Sequence, residues 1–215
     1  MYDVFIVDST LALEVVAWTN DTTRATALVL QNGVLVKSGA TTRRYLGSFR
    51  TTAVSGQTED SEAKRYVWNA YNRVRRSLKV VDATNSWTYT TATWRQANGA
   101  TTNIVGIVRG LDEDVVSASV QGSISNATGL GAGGGAAVGV GIDSNTVNSA
   151  QLCGVGSTAG GFTTLPLTAA YTALPGIGYH DYRWIEISAA SGTTTWFGDN
   201  GLTYVQAGMV VTSWQ

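Results

Sequence analysis

The reactive side chains of this 215-residue chain are few: one histidine, one cysteine and fifteen acids. His180 stands in Gly178-Tyr179-His180-Asp181-Tyr182-Arg183-Trp184. A hydrolytic triad would need it as the base beside a serine nucleophile, yet the sequence holds no Gly-x-Ser-x-Gly elbow. His180 therefore reads as a structural residue entering a strand. A single histidine also excludes the paired ligands of an HExxH zinc site. A single cysteine excludes an intramolecular disulfide framework and cysteine-cluster metal sites. Cys153, in Gln151-Leu152-Cys153-Gly154-Val155, has no basic neighbour in sequence to make it a thiolate, and it reads as a small buried hydrophobe.

The acids are similarly unpromising. Asp112-Glu113-Asp114 is the densest cluster, and its oxygens suit Ca²⁺. Neither an EF-hand loop nor a repeated Asp-Gly pattern accompanies it, so it reads as a solvated turn between two strands. A glycosidase would need two carboxylates facing each other; Glu186 and Asp199 are available, but nothing in their spacing pairs them. The glycine-rich stretch 129–142 invites a phosphate-loop reading. No Lys-Ser/Thr follows it, and no dinucleotide fingerprint with a helix behind it is present. It reads as a loop feeding a tightly packed strand, Ala136 to Ile142, whose glycines mark close backbone approach. The expectation is a protein with no catalytic residue, no cofactor and no metal, and so not an enzyme.

The elements that would position these residues are strands. Thr, Val and aromatics dominate, punctuated by Gly and Asn. Residues 2–7 and 11–18 read as two strands around Asp8-Ser9-Thr10, with Leu11, Leu13, Val15 and Ala17 on one side and Glu14 and Trp18 on the other. Leu28 to Val36 predicts a hairpin, because Asn32-Gly33 supplies the two positive φ values of a type I′ turn between apolar runs. Residues 43–52 form a further strand, with Tyr45, Gly47 and Phe49 on one face. Period-two segments follow at 86–95, 103–109, 114–125, 150–155, 183–189, 193–198 and 204–213. One segment departs from this. Val67, Ala70, Tyr71 and Val74 fall at i, i+3, i+4 and i+7, with Thr58-Glu59-Asp60 as the entry, Asp60 or Ser61 as N-cap, Glu62 where the macrodipole favours an anion, and Arg73, Arg75 and Arg76 at the end. A helix is predicted over about 60–75.

Strands at 8–15-residue spacing with turns between them argue a mainly β fold, a jelly-roll-like antiparallel β-sandwich. The expected organisation is an arm of N-terminal strands and hairpin over residues 1–40, then the sandwich with its inserted helix over residues 41–215. The net charge is −1 and only 13% of residues are charged, about half the usual share. Balanced charge gives no footprint for nucleic acid. No run of 18 apolar residues suits a membrane span, and the start lacks the basic and apolar regions of a signal peptide. Met1 opens almost directly into a strand, which reads as a fragment boundary. Seven Trp and nine Tyr are abundant. Aromatic platforms bind sugars, but in alternating strands aromatics serve first as core and interface.

Ala17-Trp18-Thr19-Asn20-Asp21-Thr22-Thr23-Arg24-Ala25-Thr26-Ala27-Leu28, then Gln31 to Gly39 and Thr41 to Gly47, resembles a segment common in virion proteins of tailed phages and prophages. Gly56 to Ser61, Lys64-Arg65, Trp68-Asn69, Tyr71 to Val74, Ser86 to Tyr89 and Trp94 to Asn98 extend the likeness over roughly residues 2–110. The remainder is similar only in pattern, in the style of the trimeric jelly-roll of the C1q and tumour-necrosis-factor superfamily. The resemblance implies a homotrimeric structural protein on the virion exterior. It would be a tail-fibre or receptor-binding component acting by multivalent binding to a host-surface glycan or protein, with other virion proteins as partners. A trimeric capsid cement or decoration protein is the alternative, and a polysaccharide-degrading spike the third reading. The resemblance assigns no catalytic, metal or receptor-binding residue.

Overall fold

A computed structural model describes residues 1–126, 128, 134–156 and 165–215. The chain opens with β1 (Tyr2–Val7), β2 (Leu13–Ala17), β3 (Leu28–Gln31), β4 (Val34–Lys37) and β5 (Ala40–Phe49). There follow β6 (Lys64–Arg65), β7 (Val67–Asn69), β8 (Arg75–Val81), β9 (Ser86–Thr88), β10 (Arg95–Gln96), β11 (Ile104–Arg109) and β12 (Val116–Asn126). The last are β13 (Ala136–Ile142), β14 (Leu152–Cys153), β15 (Val155–Gly156), β16 (Leu165–Ala173), β17 (Gly178–Ser188), β18 (Thr194–Phe197) and β19 (Gly208–Trp214). A single 3₁₀ turn, Ala97–Gly99, interrupts the described strands.

Three sheets result. The N-terminal sheet runs β2-β1-β5-β4-β3, with β7 also on β5; the second runs β15-β13-β17-β11-β6, with β10 also on β17. The third runs β14-β16-β12-β18-β9, and β19 pairs both β12 and β8. Among the described residues, all strand pairings are antiparallel except β6 with β11. The mainly β, sandwich-like fold expected from the sequence is the one observed.

Alternation explains how the second and third sheets close on each other. In β12, Val116, Ala118, Val120 and Ile124 are buried while Ser119 and Gln121 are exposed. In β17, His180, Tyr182 and Trp184 share the inward side. Trp184, Trp196, Tyr182, Ile107, Ile124 and Met209 are among the largest fully buried side chains between the sheets. Each buried aromatic withdraws roughly 150–250 Å² from water, worth about 4–6 kcal/mol before ordering entropy is charged against it. The predicted close approach in β13 is present: Gly141 packs against the Ser144 carbonyl, leaving no room for a Cβ.

The N-terminal sheet has a smaller core of its own, Phe5, Tyr45, Tyr66, Trp68 and Val108. The Asn32-Gly33 hairpin forms as expected between β3 and β4, with φ of 51° and 80°. Arg24 fastens this sheet to the sandwich. Its Nε donates to Asp3 Oδ2 at 2.8 Å, and its Nη2 donates to Tyr45 Oη at 3.0 Å and to the Gly110 carbonyl. Asp3 also accepts from Ser48 Oγ at 2.7 Å.

Three expectations need correction. Residues 60–75 are not a helix: they form β6, β7 and the start of β8. Tyr66 and Trp68 are the buried pair there, an i, i+2 spacing, whereas Val67, Tyr71 and Val74 are exposed. The N-terminal sheet is not confined to residues 1–40, since β5 and β7 belong to it. Tyr45 does not share a face with Phe49. A register shift between Val4 and Phe5 places Tyr45 opposite Phe5 in the core, while Phe49 pairs with Tyr2 on the other side.

Candidate functional site

His180 is 6% exposed and does have an acid partner. Its Nδ1 lies 2.8 Å from Asp143 Oδ2, and the Asp181 amide donates to Asp143 Oδ1 at 2.8 Å. Asp143 follows β13 directly and holds φ 53°, a left-handed conformation that Asp tolerates. Burial works to raise its carboxyl, but the bonds from His180 and Asp181 outweigh that and hold it below the ordinary range. His180 Nε2 and Tyr182 Oη are buried without a partner. A base needs a nucleophile or substrate within reach. Among the described residues, no hydroxyl or other polar group lies within hydrogen-bond distance of this Nε2. The dyad ties β17 to the loop after β13. The sequence signal for Asp143 was an acid at a strand end beside Ser144, which spacing alone did not connect to His180.

Glu186 is fully buried, and its charge is answered on several sides. Trp87 Nε1 donates to it at 2.9 Å, Arg95 Nε at 2.8 Å and the Asn98 amide at 3.2 Å. Burial still pushes its carboxyl above the ordinary range, with the donors pulling it back. Beside it, Asn98 Nδ2 and Asn103 Nδ2 each donate to Asp82 Oδ2 at 3.1 Å. Burial opposes ionisation of Asp82 too, but its donors, Thr84 first among them, hold it below the ordinary range. These two carboxylates pin β9, β10 and the 3₁₀ turn to the sandwich, with their lone pairs committed to protein donors.

The remaining candidates disperse. Asp112 accepts from Arg109 Nη1 at 3.1 Å, Glu113 pairs with Arg73 Nη2 at 3.0 Å, and Asp114 also pairs with Arg73. The cluster is split between two arginines rather than gathered on a cation. Among the described residues, no group of three His, Cys, Asp or Glu side chains is placed to hold a metal ion. Asp199 accepts from the Gly201 amide at 2.9 Å within its own turn. Cys153 is exposed, against the buried reading, because β14 lies at the edge of the third sheet; its Sγ donates to the Val138 carbonyl at 2.9 Å. Of the glycine-rich stretch, residues 129–133 lie outside the described residues.

What the fold presents outward is two broad sheet faces. On the third sheet, Ser117, Ser119, Gln121 and Ser123 of β12 stand in register with Thr172, Ala170, Thr168 and Pro166 of β16. Thr212, Val210 and Gly208 of β19 continue the same rows, and Leu152, 73% exposed, ends one of them. Among the described residues, no charged residue stands on this face until Lys79 and Arg75 on β8. Three shallow depressions of about 200, 300 and 310 Å³ share its residues, and Tyr204 rims one of them.

The outer face of the N-terminal sheet is apolar. Leu13, Val15 and Ala17 stand in register with Ile6, Val4 and Tyr2 of β1. Tyr2 stacks on Phe49 at 5.2 Å, and Phe49 pairs in turn with Val67. Leu13 is 67% and Val15 52% exposed. The apolar stripe read in β2 is real, but it faces solvent rather than the core. Arg44, in register with Ile6, stands on the same face; it donates to Tyr71 Oη at 3.1 Å and lies against that ring. An antiparallel sheet with one wet face normally turns polar residues outward, so this face is built as if covered.

No family model matches the chain, and no curated protein matches it either.

Proposed function

We propose that the protein is a structural component of a phage virion, a homotrimer on the particle exterior that works by binding rather than by catalysis. It would act as a tail-fibre or receptor-binding component, where three weak sites raise avidity on a cell surface. The observation that carries this reading is the pair of outward sheet faces, one apolar and one without charge across four strands. A contiguous exposed apolar face is a common mark of an interaction surface. The phage-like residues between 2 and 110 support the same reading, and so does the commitment of each carboxylate near His180, Trp87 and Arg73 to a protein donor.

Two measurements test it. Light scattering at micromolar concentration should give three times the 22.6 kDa chain mass; a strict monomer would sink the trimer. Gold-labelled antibody on intact particles should mark the tail, in few copies. Many copies over the head would transfer the protein to the decoration role.

A further inference from the structure

We propose that the groove on the outer face of the third sheet, between Tyr204, Gln121 and Gln206, binds a short neutral oligosaccharide. The site gives the receptor-binding reading above its ligand class, and rests on that reading only for placing the sugar on a cell surface. A single copy of the chain carries the whole groove. Depressions of about 200 and 310 Å³ meet there, and Gln121 and Gln206 line both of them. Joined, they fall in the usual range for small-molecule sites, roughly 300–1,000 Å³. Tyr204 walls one end and is 82% exposed. Ser119 and Val210 stand at the other.

The lining selects the occupant. An ion would need a counter-charge. Among the described residues, the one charged side chain lining the two depressions is Lys79, which already pairs with Glu62 Oε1 at 2.9 Å. A peptide binding as an added strand would need free main-chain groups. β12 offers none, being paired with β16 on one side and with β18 and β19 on the other. The groove offers instead side chains that both give and accept hydrogen bonds, the Ser119 hydroxyl and the Gln121 amide, both exposed. Gln206 is set in place. Its Nε2 donates to the Asp82 and Ala207 carbonyls at 3.0 Å each, which leaves its Oε1 to accept from a ligand. Sugar hydroxyls likewise both give and accept. The C–H face of a sugar ring suits an exposed aromatic, and Tyr204 supplies one with a polar tip. Many hydroxyls, one apolar ring face and no charge describe an uncharged sugar.

The test is an array of neutral and anionic oligosaccharides probed with the fluorescently labelled full chain, the neutral members that bind then being titrated by calorimetry. Wild type should bind neutral members. Tyr204→Ala and Gln121→Ala, both at side chains that reach solvent, should each weaken that binding roughly tenfold, with the urea midpoint unchanged. Ser119→Trp, which fills the groove from its floor, should abolish it. Leu30→Ala, on the exposed edge of the N-terminal sheet, should leave it unchanged. Binding that survives Ser119→Trp overturns this site, as does binding to anionic members alone or to none. If the chain binds no sugar yet adsorbs to bacterial cells, the site falls and the receptor-binding reading stands; if it does neither, both fall. Should one variant lower the urea midpoint, the others are read by the same outcomes.

Discussion

Replacing Arg95 with methionine turns Glu186 into a test of how the sandwich tolerates a buried charge. Methionine keeps the aliphatic stem and removes the guanidinium, which bonds Glu186 through Nε at 2.8 Å and pairs with it through Nη2 at 2.7 Å. The carboxyl, fully buried, then stays ionised without its cation or takes up a proton. Proton uptake sets the ceiling on the cost. Starting from an ordinary pKa of 4.5, at about 1.36 kcal/mol per pH unit, it is about 3.4 kcal/mol at pH 7 and about 0.7 kcal/mol at pH 5. The lost hydrogen bonding, and the contact of Arg95 with the Tyr89 ring at 3.8 Å, add about 1–2 kcal/mol at either pH. The variant should therefore lose up to about 4–5 kcal/mol at pH 7 but only about 2–3 kcal/mol at pH 5. The sign follows from linkage: a folded-state pKa above 4.5 means the native state holds the extra proton, so stability falls as pH rises through that interval. Urea unfolding followed by tryptophan fluorescence measures it. Equal losses at the two pH values would refute the reasoning.

Three further outcomes are expected. Asp143→Asn should flatten the acid limb of the stability profile: Asp143 titrates below 3.8 in the folded protein, so its contribution is present above that value and lost as pH falls through the lower one. Urea midpoints of both proteins between pH 2.5 and 5 check this. Trp196→Ala, at a side chain 1% exposed, should cost about 3–5 kcal/mol by cavity formation, measured as a lowered urea midpoint; a loss under about 1 kcal/mol would contradict its place in the core. Cys153 should react with Ellman's reagent without unfolding, and its rate should climb past pH 9, because burial pushes the thiol up; protection until urea unfolds the chain would contradict its exposure.

Much of the fold is written in local pattern. The period-two run of β12 and the turn at Asn32-Gly33 are decided by neighbours in sequence, and both were legible. The false helix shows the limit of that method. Val67, Ala70, Tyr71 and Val74 mimic a helical stripe, while the energetically decisive residues are Tyr66 and Trp68, whose partners Tyr45 and Val108 come from distant strands. Propensity is weak beside the burial of two aromatics. The Asp143–His180 and Glu186–Arg95 pairs were unreadable for the same reason: 37 and 91 residues separate the partners, and only the register of β17 with β13 and β10 brings them together. The outward direction of the Leu13 and Val15 stripe was also hidden, because a pattern shows that one side is apolar and not what faces it.

Strand β12 has consequences for how the chain is made. It is held on one side by β16 and on the other by β18 and β19. All of its partners are therefore translated after it. β19 in turn is the strand that joins it to β8, and Val74 and Gln215 exchange backbone bonds of 2.8 and 3.0 Å at the end of that ladder. At 5–20 residues per second, the roughly 90 residues from β12 to the end of β19 take about 4–18 s to emerge. Over that interval the N-terminal sheet, whose strands are near neighbours in sequence, is able to fold, while β8 and β12 wait for the strand between them. Serines on alternate positions of β12 keep one side of that waiting strand wettable. A nascent chain at this stage is most exposed to proteases and chaperones, and synonymous changes that slow translation between β12 and β19 would lengthen that exposure without altering one residue of the finished protein.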